Sequence, residues 1–343
     1  MRVILLGTAA GGGFPQWNCW CPSCRVARDN PQAARPRRQS SAAISVDGQR
    51  WFLLNASPDV RDQLALLPST VRLPPPRSAL RRASPKHSEG GKADTTYESS
   101  TVRAQADATH ETPATIRHVP IEGVLLTDAE LDHTLGLVLL REARHLPLLT
   151  TAAVCAMLEH DSRILPVTRA FADVPVTELG LDAPQALRYR DGSPSGILVE
   201  AFAVAAGPPR FSRRQDIGHT IGMVFREEDS GKMCAFVPAC GELTPSLLER
   251  FAQADVLLFD GTFWRDDELI ALGIGDRTAR DMDHLPISGP GGSLAQLAML
   301  PCRHRIYTHI NNTNPMLVEH SPEHALVERA GLTIGVDGMD INV

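Results

Sequence analysis

Three apolar runs in this chain stop abruptly at an acid or a histidine, and that pattern limits the folds open to it. Val124-Leu125-Leu126 leads into Thr127-Asp128-Ala129-Glu130-Leu131-Asp132-His133, Val256-Leu257-Leu258-Phe259 ends in Asp260, and Arg305-Ile306-Tyr307-Thr308 ends in His309. Short apolar runs between polar segments read as buried strands. Further strands are expected over residues 2–6, 42–47, 51–55, 147–150, 198–204, 219–226 and 233–238. Helices are expected over 135–141, 151–160, 244–254, 291–300 and 322–330, with Ser57 and Pro58 as the N-cap and first residue of another. Strands come in pairs as well as singly between helices. That fits a doubly wound parallel sheet poorly; a four-layer sandwich, with helices outside two packed sheets, fits it better.

The chain has 343 residues, 43% hydrophobic and 22% charged, enough for one large domain with an ample core. A single domain over 1–343 is expected, interrupted at about 72–118 by a stretch rich in Pro, Ser, Thr and charge that lacks apolar periodicity. Such a stretch buries too little apolar area to offset its ordering entropy and reads as a disordered insertion. With a net charge of −6 and no basic cluster, nucleic acid and anionic membranes are excluded as main partners. The opening Met1 to Gly7 is too soon broken by glycine for a signal peptide, and no run reaches the roughly 18 apolar residues of a spanning helix, so a cytoplasmic location is expected.

Of seven cysteines, three fall within six residues, Cys19, Cys21 and Cys24. Thiolates at i, i+2 and i+5 can converge on one ion from a tight turn, and Zn²⁺ closed in by four protein ligands is structural. Three free buried thiols, or a redox pair of Cys21 and Cys24, are the alternatives. A fourth ligand must come from a distant segment, with His309, Asn312 and a carboxylate as candidates. The glycine-rich Gly7 to Phe14 lacks the Lys-Ser/Thr of a phosphate-binding loop and reads better as backbone passing close to a site.

The strand-end acids and histidines form the third constellation: Asp128, Glu130, Asp132, His133, Asp260 and His309, with His284 from the loop Arg280 to Leu285. Singly, each has a local reading. Asp128 could cap a helix, Glu130 could be solvated, and Asp260 could hold a turn with Gly261. Jointly they point to a metal or catalytic site, and oxygen plus imidazole suits iron, manganese or zinc.

Several strings resemble the coenzyme pyrroloquinoline quinone (PQQ) synthesis protein B family. These are Gly11-Gly12-Gly13-Phe14-Pro15-Gln16-Trp17-Asn18-Cys19, Asn55-Ala56-Ser57-Pro58-Asp59, Leu126 to Gly136, Asp260-Gly261-Thr262, His309 to Pro315 and Asp337-Gly338-Met339. The resemblance implies the metallo-β-lactamase fold, an αββα sandwich. In hydrolytic relatives of that fold the loop reads His-x-His-x-Asp-His, where this chain has Asp128, Glu130, Asp132 and His133. A further histidine would fall near Ala206 to Pro208, and a bridging aspartate near Ala239 or Cys240. Both are absent. The resemblance therefore implies a single active-site metal on Asp132, His133 and His309. His284, Asp260 and Asp128 are the catalytic candidates, His284 matching a proton-transfer position. Cys19, Cys21 and Cys24 resemble a structural zinc site whose fourth histidine is replaced by Asn312.

The function expected is PQQ biosynthesis by an Fe²⁺-dependent hydroxylase acting on a tyrosine-derived, small-molecule PQQ precursor. Hydrolysis of a precursor, and carriage of PQQ or its precursor toward export, are the alternatives. A carrier needs cations for the carboxylates of PQQ, and Arg61, Arg210 and Arg277 are available. Other proteins of the pathway and a second copy in a homodimer are the further partners left open.

Overall fold

A computed structural model describes residues 1–68 and 121–343; the 72–118 segment lies outside the described residues. Strand β1 (Arg2–Gly7) is followed by β2 (Ser41–Ser45), β3 (Trp51–Leu54), β4 (Ile121–Leu125), β5 (Leu148–Thr150) and β6 (Val176–Glu178). The second series runs β7 (Gln185–Arg188), β8 (Pro194–Ala203), β9 (Ile221–Glu227), β10 (Met233–Val237), β11 (Val256–Asp260), β12 (His304–Thr308), β13 (Thr333–Ile334) and β14 (Asp340–Asn342). These pair into two seven-stranded sheets, ordered β14-β1-β2-β3-β4-β5-β6 and β13-β12-β11-β10-β9-β8-β7. In each sheet one half is antiparallel and the other parallel.

Residue alternation explains the layers. Val3 and Leu5 of β1 face the inter-sheet core with Ile44, Phe52, Phe225, Phe236 and Leu258. Ile4 and Leu6 turn the other way, into the layer with Val60, Leu137, Val154 and Leu165. In β11, Leu257 and Phe259 likewise turn outward to Leu247, Phe251 and Leu297. A period-2 strand stretch buried on both faces must be apolar throughout, as residues 3–6 of β1, all of β3 and residues 256–259 of β11 are. The expected four-layer αββα sandwich is present.

The helices are α1 (Pro22–Asp29), α2 (Val60–Leu64), α3 (Leu131–Thr134), α4 (Gly136–Leu139), α5 (Ala152–Ala156), α6 (Ile164–Arg169), α7 (Pro245–Phe251), α8 (Glu268–Ala271), α9 (Ser293–Ala298) and α10 (Pro322–Arg329). α7 and α10 start where the sequence places them. Thr244 and Ser321 accept the N–H of Leu247 and His324, each with proline next in line.

Two expectations need correction. The helix expected over 135–141 is α4, but an unexpected short helix, α3, precedes it from Leu131, so Asp132 and His133 lie on a helix and not at a bare strand end. The cause is the Asp128 carboxylate, which accepts the Glu130 N–H at 2.9 Å and turns the chain early. Ser57 and Pro58 do not begin a helix; α2 opens at Val60. Their segment is held against α3 and α4 instead, with Ala56 N–H donating to His133 O at 2.7 Å and Gly136 N–H to Ala56 O at 2.8 Å.

Gly136 is required by this contact. A Cβ there would stand 2.4 Å from Ser57 O and 2.6 Å from Ala56 O, both backbone atoms that cannot swing aside. Gly136→Ala should destabilise the fold by about 1–3 kcal/mol in urea denaturation. Unchanged stability would mean that the Asn55–Ser57 segment is not what seats α3.

Candidate metal centre

The carboxyl ends of the parallel strands β4, β11 and β12 open on one cavity of about 370 Å³. Its lining includes Asp128, Asp132, His133, Asp283, His284 and His309. Each histidine is gripped through Nδ1. His133 faces Asp128 at 2.8 Å, His284 faces Asp260 at 2.7 Å, and His309 faces Thr262 Oγ1 at 2.8 Å. With Nδ1 so engaged, Nε2 is the nitrogen left for a ligand, the usual outer-shell arrangement of metal-binding imidazoles.

His309 sits at φ 52°, in the left-handed region. Thr262 Oγ1 stands against both polar atoms of that residue, 2.8 Å from Nδ1 and 2.9 Å from the carbonyl oxygen. Asp260 in turn accepts from Thr262 N and Oγ1 and from Cys240 N, at 2.9, 2.6 and 3.0 Å. Asp128 is braced by Thr127 Oγ1 at 2.7 Å, and Asn55 accepts the Thr127 N–H at 3.0 Å. The Asn55-Ala56-Ser57 string thus supports the site from below.

One group of donors converges: a carboxylate oxygen of Asp132 with a nitrogen each of His133 and His309, all within 4.8 Å of one another. Asp132 Oδ2 lies 3.4 Å from His309 Nε2 and 3.8 Å from His133 Nε2. Donors held about 2.0–2.2 Å from one first-row ion lie about 3–3.5 Å apart, so the set is close to ligating geometry. His133 Nε2 is buried with no hydrogen-bond partner, an orphan that an ion would satisfy. The residues fit a metal.

Asp260, His284 and His309 form an overlapping group. Both oxygens of Asp260 are already committed to hydrogen bonds, so this group is poorer as a separate site. Ala206 to Pro208 and Ala239 line the cavity without offering a donor side chain.

The charges are strongly coupled. Burial opposes protonation of His133, but Asp128 and Asp132 outweigh it and lift the imidazole to about 9. Burial would raise Asp132 and Asp260, yet His133 and His284 respectively hold both carboxyls below the usual range.

Cys19, Cys21 and Cys24 also converge, their sulfurs within 4.8 Å of one another. Of the fourth-ligand candidates, Asn312 stands beside them, its Nδ2 at 3.3 Å from Cys24 Sγ and 3.8 Å from Cys21 Sγ. His309 belongs to the other cluster. A hydrogen bond with Cys21 outweighs burial and pulls the Cys24 thiol down toward the thiolate. Arg28 was not singled out from the sequence, yet it staples this turn, donating to Cys19 O at 2.6 Å and Gln16 O at 2.5 Å. Its place four residues after Cys24, on the next turn of α1, was the available signal.

The glycine-rich loop runs alongside, as expected of backbone near a site. Ala10 N–H donates to Ile310 O at 2.9 Å, and Ala10 and Gly11 border the cavity. Arg210 and Arg277 line the cavity, whereas Arg61 lies exposed on α2 and is not among the lining residues. Thr262, whose grip on His309 sequence reasoning did not find, was signalled by the Asp260-Gly261-Thr262 string.

A profile of the beta-lactamase superfamily domain matches residues 93–310. Coenzyme PQQ synthesis protein B of Methylobacterium nodulans is 38% identical over 349 residues, covering 100% of both chains. The chain belongs to the coenzyme PQQ synthesis protein B family. The same protein of Gluconacetobacter diazotrophicus is 36% identical, over 99% of this chain and 98% of the relative. The crystal structure of Zn²⁺-bound PqqB from Methylobacterium extorquens superposes with a TM-score of 0.78 at 35% identity, covering 100% of both chains. Among the described residues no helix is long and apolar enough to cross a membrane.

A protonated His133 cannot ligate. With its pKa raised to about 9, the metal-free imidazole is charged at neutral pH and must shed its proton when an ion binds. At pH 7.5, Zn²⁺ titrated into metal-free protein in weak buffer should release about one proton per active-site ion from this group. The release should fade as pH rises above about 9, and affinity should drop as pH falls below it. A pH-indicator dye reads it directly, and no difference between wild type and His133→Gln would refute the assignment.

Proposed function

We propose that this chain acts in PQQ biosynthesis as a mononuclear iron-dependent hydroxylase of a tyrosine-derived PQQ precursor. The observation that carries this reading is the donor set of Asp132, His133 and His309, two imidazoles and one carboxylate converging on one side of an open cavity. That composition matches the facial triad of non-haem Fe(II) oxygenases, which leaves coordination positions for other ligands. When bound, Fe²⁺ would supply the redox chemistry with O₂ that the side chains themselves lack.

The chain's own residues have separable tasks. Asp132, His133 and His309 hold the ion. Asp128 and Thr262 fix the tautomer and direction of His133 and His309 from behind, so they are positioning residues. His284, lifted by Asp260 above its ordinary pKa once burial is outweighed, keeps a proton on the cavity wall. It can give that proton to an oxygen on the substrate and take one back, with Asp260 stabilising the charged form. Arg210 and Arg277 supply positive charge for a carboxylate of the substrate. Cys19, Cys21 and Cys24 would hold a structural Zn²⁺, and the Asn312 amide beside them is the candidate for a further ligand through its oxygen.

Hydrolysis by a two-metal centre is disfavoured by the committed oxygens of Asp260 and by the donor-free positions Ala206 to Pro208 and Ala239. The reading is tested by loading the protein with Fe²⁺ under anaerobic conditions, adding a tyrosine-type substrate and then O₂, and seeking a product one oxygen heavier by mass spectrometry. Turnover with Zn²⁺ and none with Fe²⁺ would overturn it. Asp128→Asn should weaken active-site metal binding by about 10–100-fold while Asp132 and His309 remain, as loss of an outer-shell carboxylate does. Equilibrium dialysis measures this, and unchanged affinity would remove Asp128 from the positioning role.

A further inference from the structure

Just past His309, Asn311 borders the metal cavity, and the mechanism gives it no task. Its backbone is pinned, the N–H donating to Thr262 O at 3.0 Å. Its side chain is pinned as well: Nδ2 stands 2.5 Å from Thr313 Oγ1, and that hydroxyl meets Glu268 Oε1. The other oxygen of Glu268 is occupied by backbone, accepting the N–H of Trp264 at 2.6 Å and that of Arg265 at 3.4 Å. Thr313 and Glu268 are buried, and Asn311 is half-buried at the cavity edge. A line of hydrogen bonds thus runs from the first residue of α8, through a threonine, to the cavity wall.

The polarity of this line follows from where its protons can go. An ionised carboxylate only accepts, so the single proton of the Thr313 hydroxyl goes to Glu268. The hydroxyl then has only lone pairs to offer, and whatever faces it from the other side must be a donor. That decides which end of the Asn311 amide is which, a choice its shape alone leaves open. Nδ2 turns to Thr313, and Oδ1, without a hydrogen-bond partner among the described residues, is the atom left for the cavity. Elsewhere the cavity has the carboxylates of Glu130 and Asp283, which suit a cationic group. A neutral amide oxygen suits a neutral donor, and a hydroxyl is the simplest one.

We infer that Asn311 orients the substrate by accepting a hydrogen bond from a substrate hydroxyl, and that Thr313 and Glu268 are positioning residues that set the polarity of its amide. The inference rests on the reading of Asp132, His133 and His309 as the reactive centre and deepens it. A phenolic ring lies with its hydroxyl-bearing end toward the His309 side of the cavity. Glu268→Gln reverses the line. The new amide keeps its oxygen on the Trp264 and Arg265 N–H groups and turns its NH₂ to Thr313. The Thr313 proton then goes to Asn311 Oδ1, and Asn311 offers Nδ2 to the cavity. A change remote from the ligand thus exchanges an acceptor for a donor.

The test uses the full-length Zn²⁺-loaded protein, so that no oxygen chemistry is involved. Burial lifts Glu268 to about 7, so NMR titrations are run at about pH 8.5, where it is ionised. The probes are phenol, which can donate, and benzonitrile, a ring of similar size that only accepts. Asn311→Leu should weaken phenol about fivefold and leave benzonitrile unchanged. Glu268→Gln should weaken phenol and strengthen benzonitrile, lowering the ratio of their affinities about tenfold. Added to Asn311→Leu, Glu268→Gln should leave that ratio where Asn311→Leu alone puts it, which separates action through Asn311 from a merely structural effect. Metal content and circular dichroism identify any variant that fails to fold, and Thr313→Val, which cuts the line without adding a donor, then replaces Glu268→Gln and should weaken phenol alone. Phenol affinity unmoved by Asn311→Leu would overturn the contact, and an unchanged ratio in folded Glu268→Gln would overturn the positioning roles. The two readings fail separately. Probe binding as expected with no iron-dependent product sinks the hydroxylase alone. Iron-dependent turnover with KM for a phenolic substrate unmoved by Asn311→Leu sinks the role of Asn311 alone.

Discussion

Around the cavity, His133, His284 and His309 are each held through Nδ1 by an oxygen belonging to a buried side chain, Asp128, Asp260 or Thr262. An imidazole without such a partner can rotate and exchange tautomers, and its pKa follows solvent. With one, its other nitrogen has a fixed direction and a fixed role. The buried oxygens are themselves tied to backbone: Asp260 to the N–H of Cys240 and Thr262, Asp128 to that of Glu130. The direction of each ring is therefore set by strand ends, and strand ends are set by a core buried on both faces. The coupling runs from β-sheet packing to ligand geometry through two hydrogen bonds.

The alternation of apolar runs with acids and histidines made the strand ends legible, because each such run has no length to be anything but a strand or a core helix. This pattern puts Asp132, His133 and His309 among seven candidates; the family resemblance singles the three out, and the structure brings their donor atoms together. The grips behind them were harder to see. Thr262 holds a left-handed His309, and nothing in residue spacing announces a positive φ at a histidine. Ser57 and Pro58 read as an N-cap and a first helical residue because Ser-Pro is a common helix start; the tertiary contact of Ala56 with Gly136 overrides that local preference. Helix α3 escapes a periodicity reading because it has only four residues and Asp132 and His133 are two of them, although an acid can also turn the chain into a helix. Short edge strands such as β6, β7, β13 and β14 carry too few apolar residues to register.

Several residues have duties that only the folded chain reveals. Arg28 crosses back over the cysteine turn, and its guanidinium lies 4.4 Å from the centre of the Trp20 ring. Glu268, pushed up to about 7 by burial, accepts the Trp264 N–H at 2.6 Å and meets the hydroxyl of Thr313. A carboxyl poised near neutrality can act as donor or acceptor there, so the link to Thr313 survives in either form.

The stretch His309 to Asn314 threads between the two donor clusters. Its first residue belongs to one, and three residues later Asn312 stands against the sulfurs of the other. Asn311 and Asn314 pin it to the backbone of Thr262 and Gly261, at 3.0 Å each. Such a short span has almost no slack: a shift of one end by an ångström is delivered to the other. The sulfur cluster and the imidazole therefore lean on one short piece of backbone, and neither can be repositioned without disturbing the support of the other.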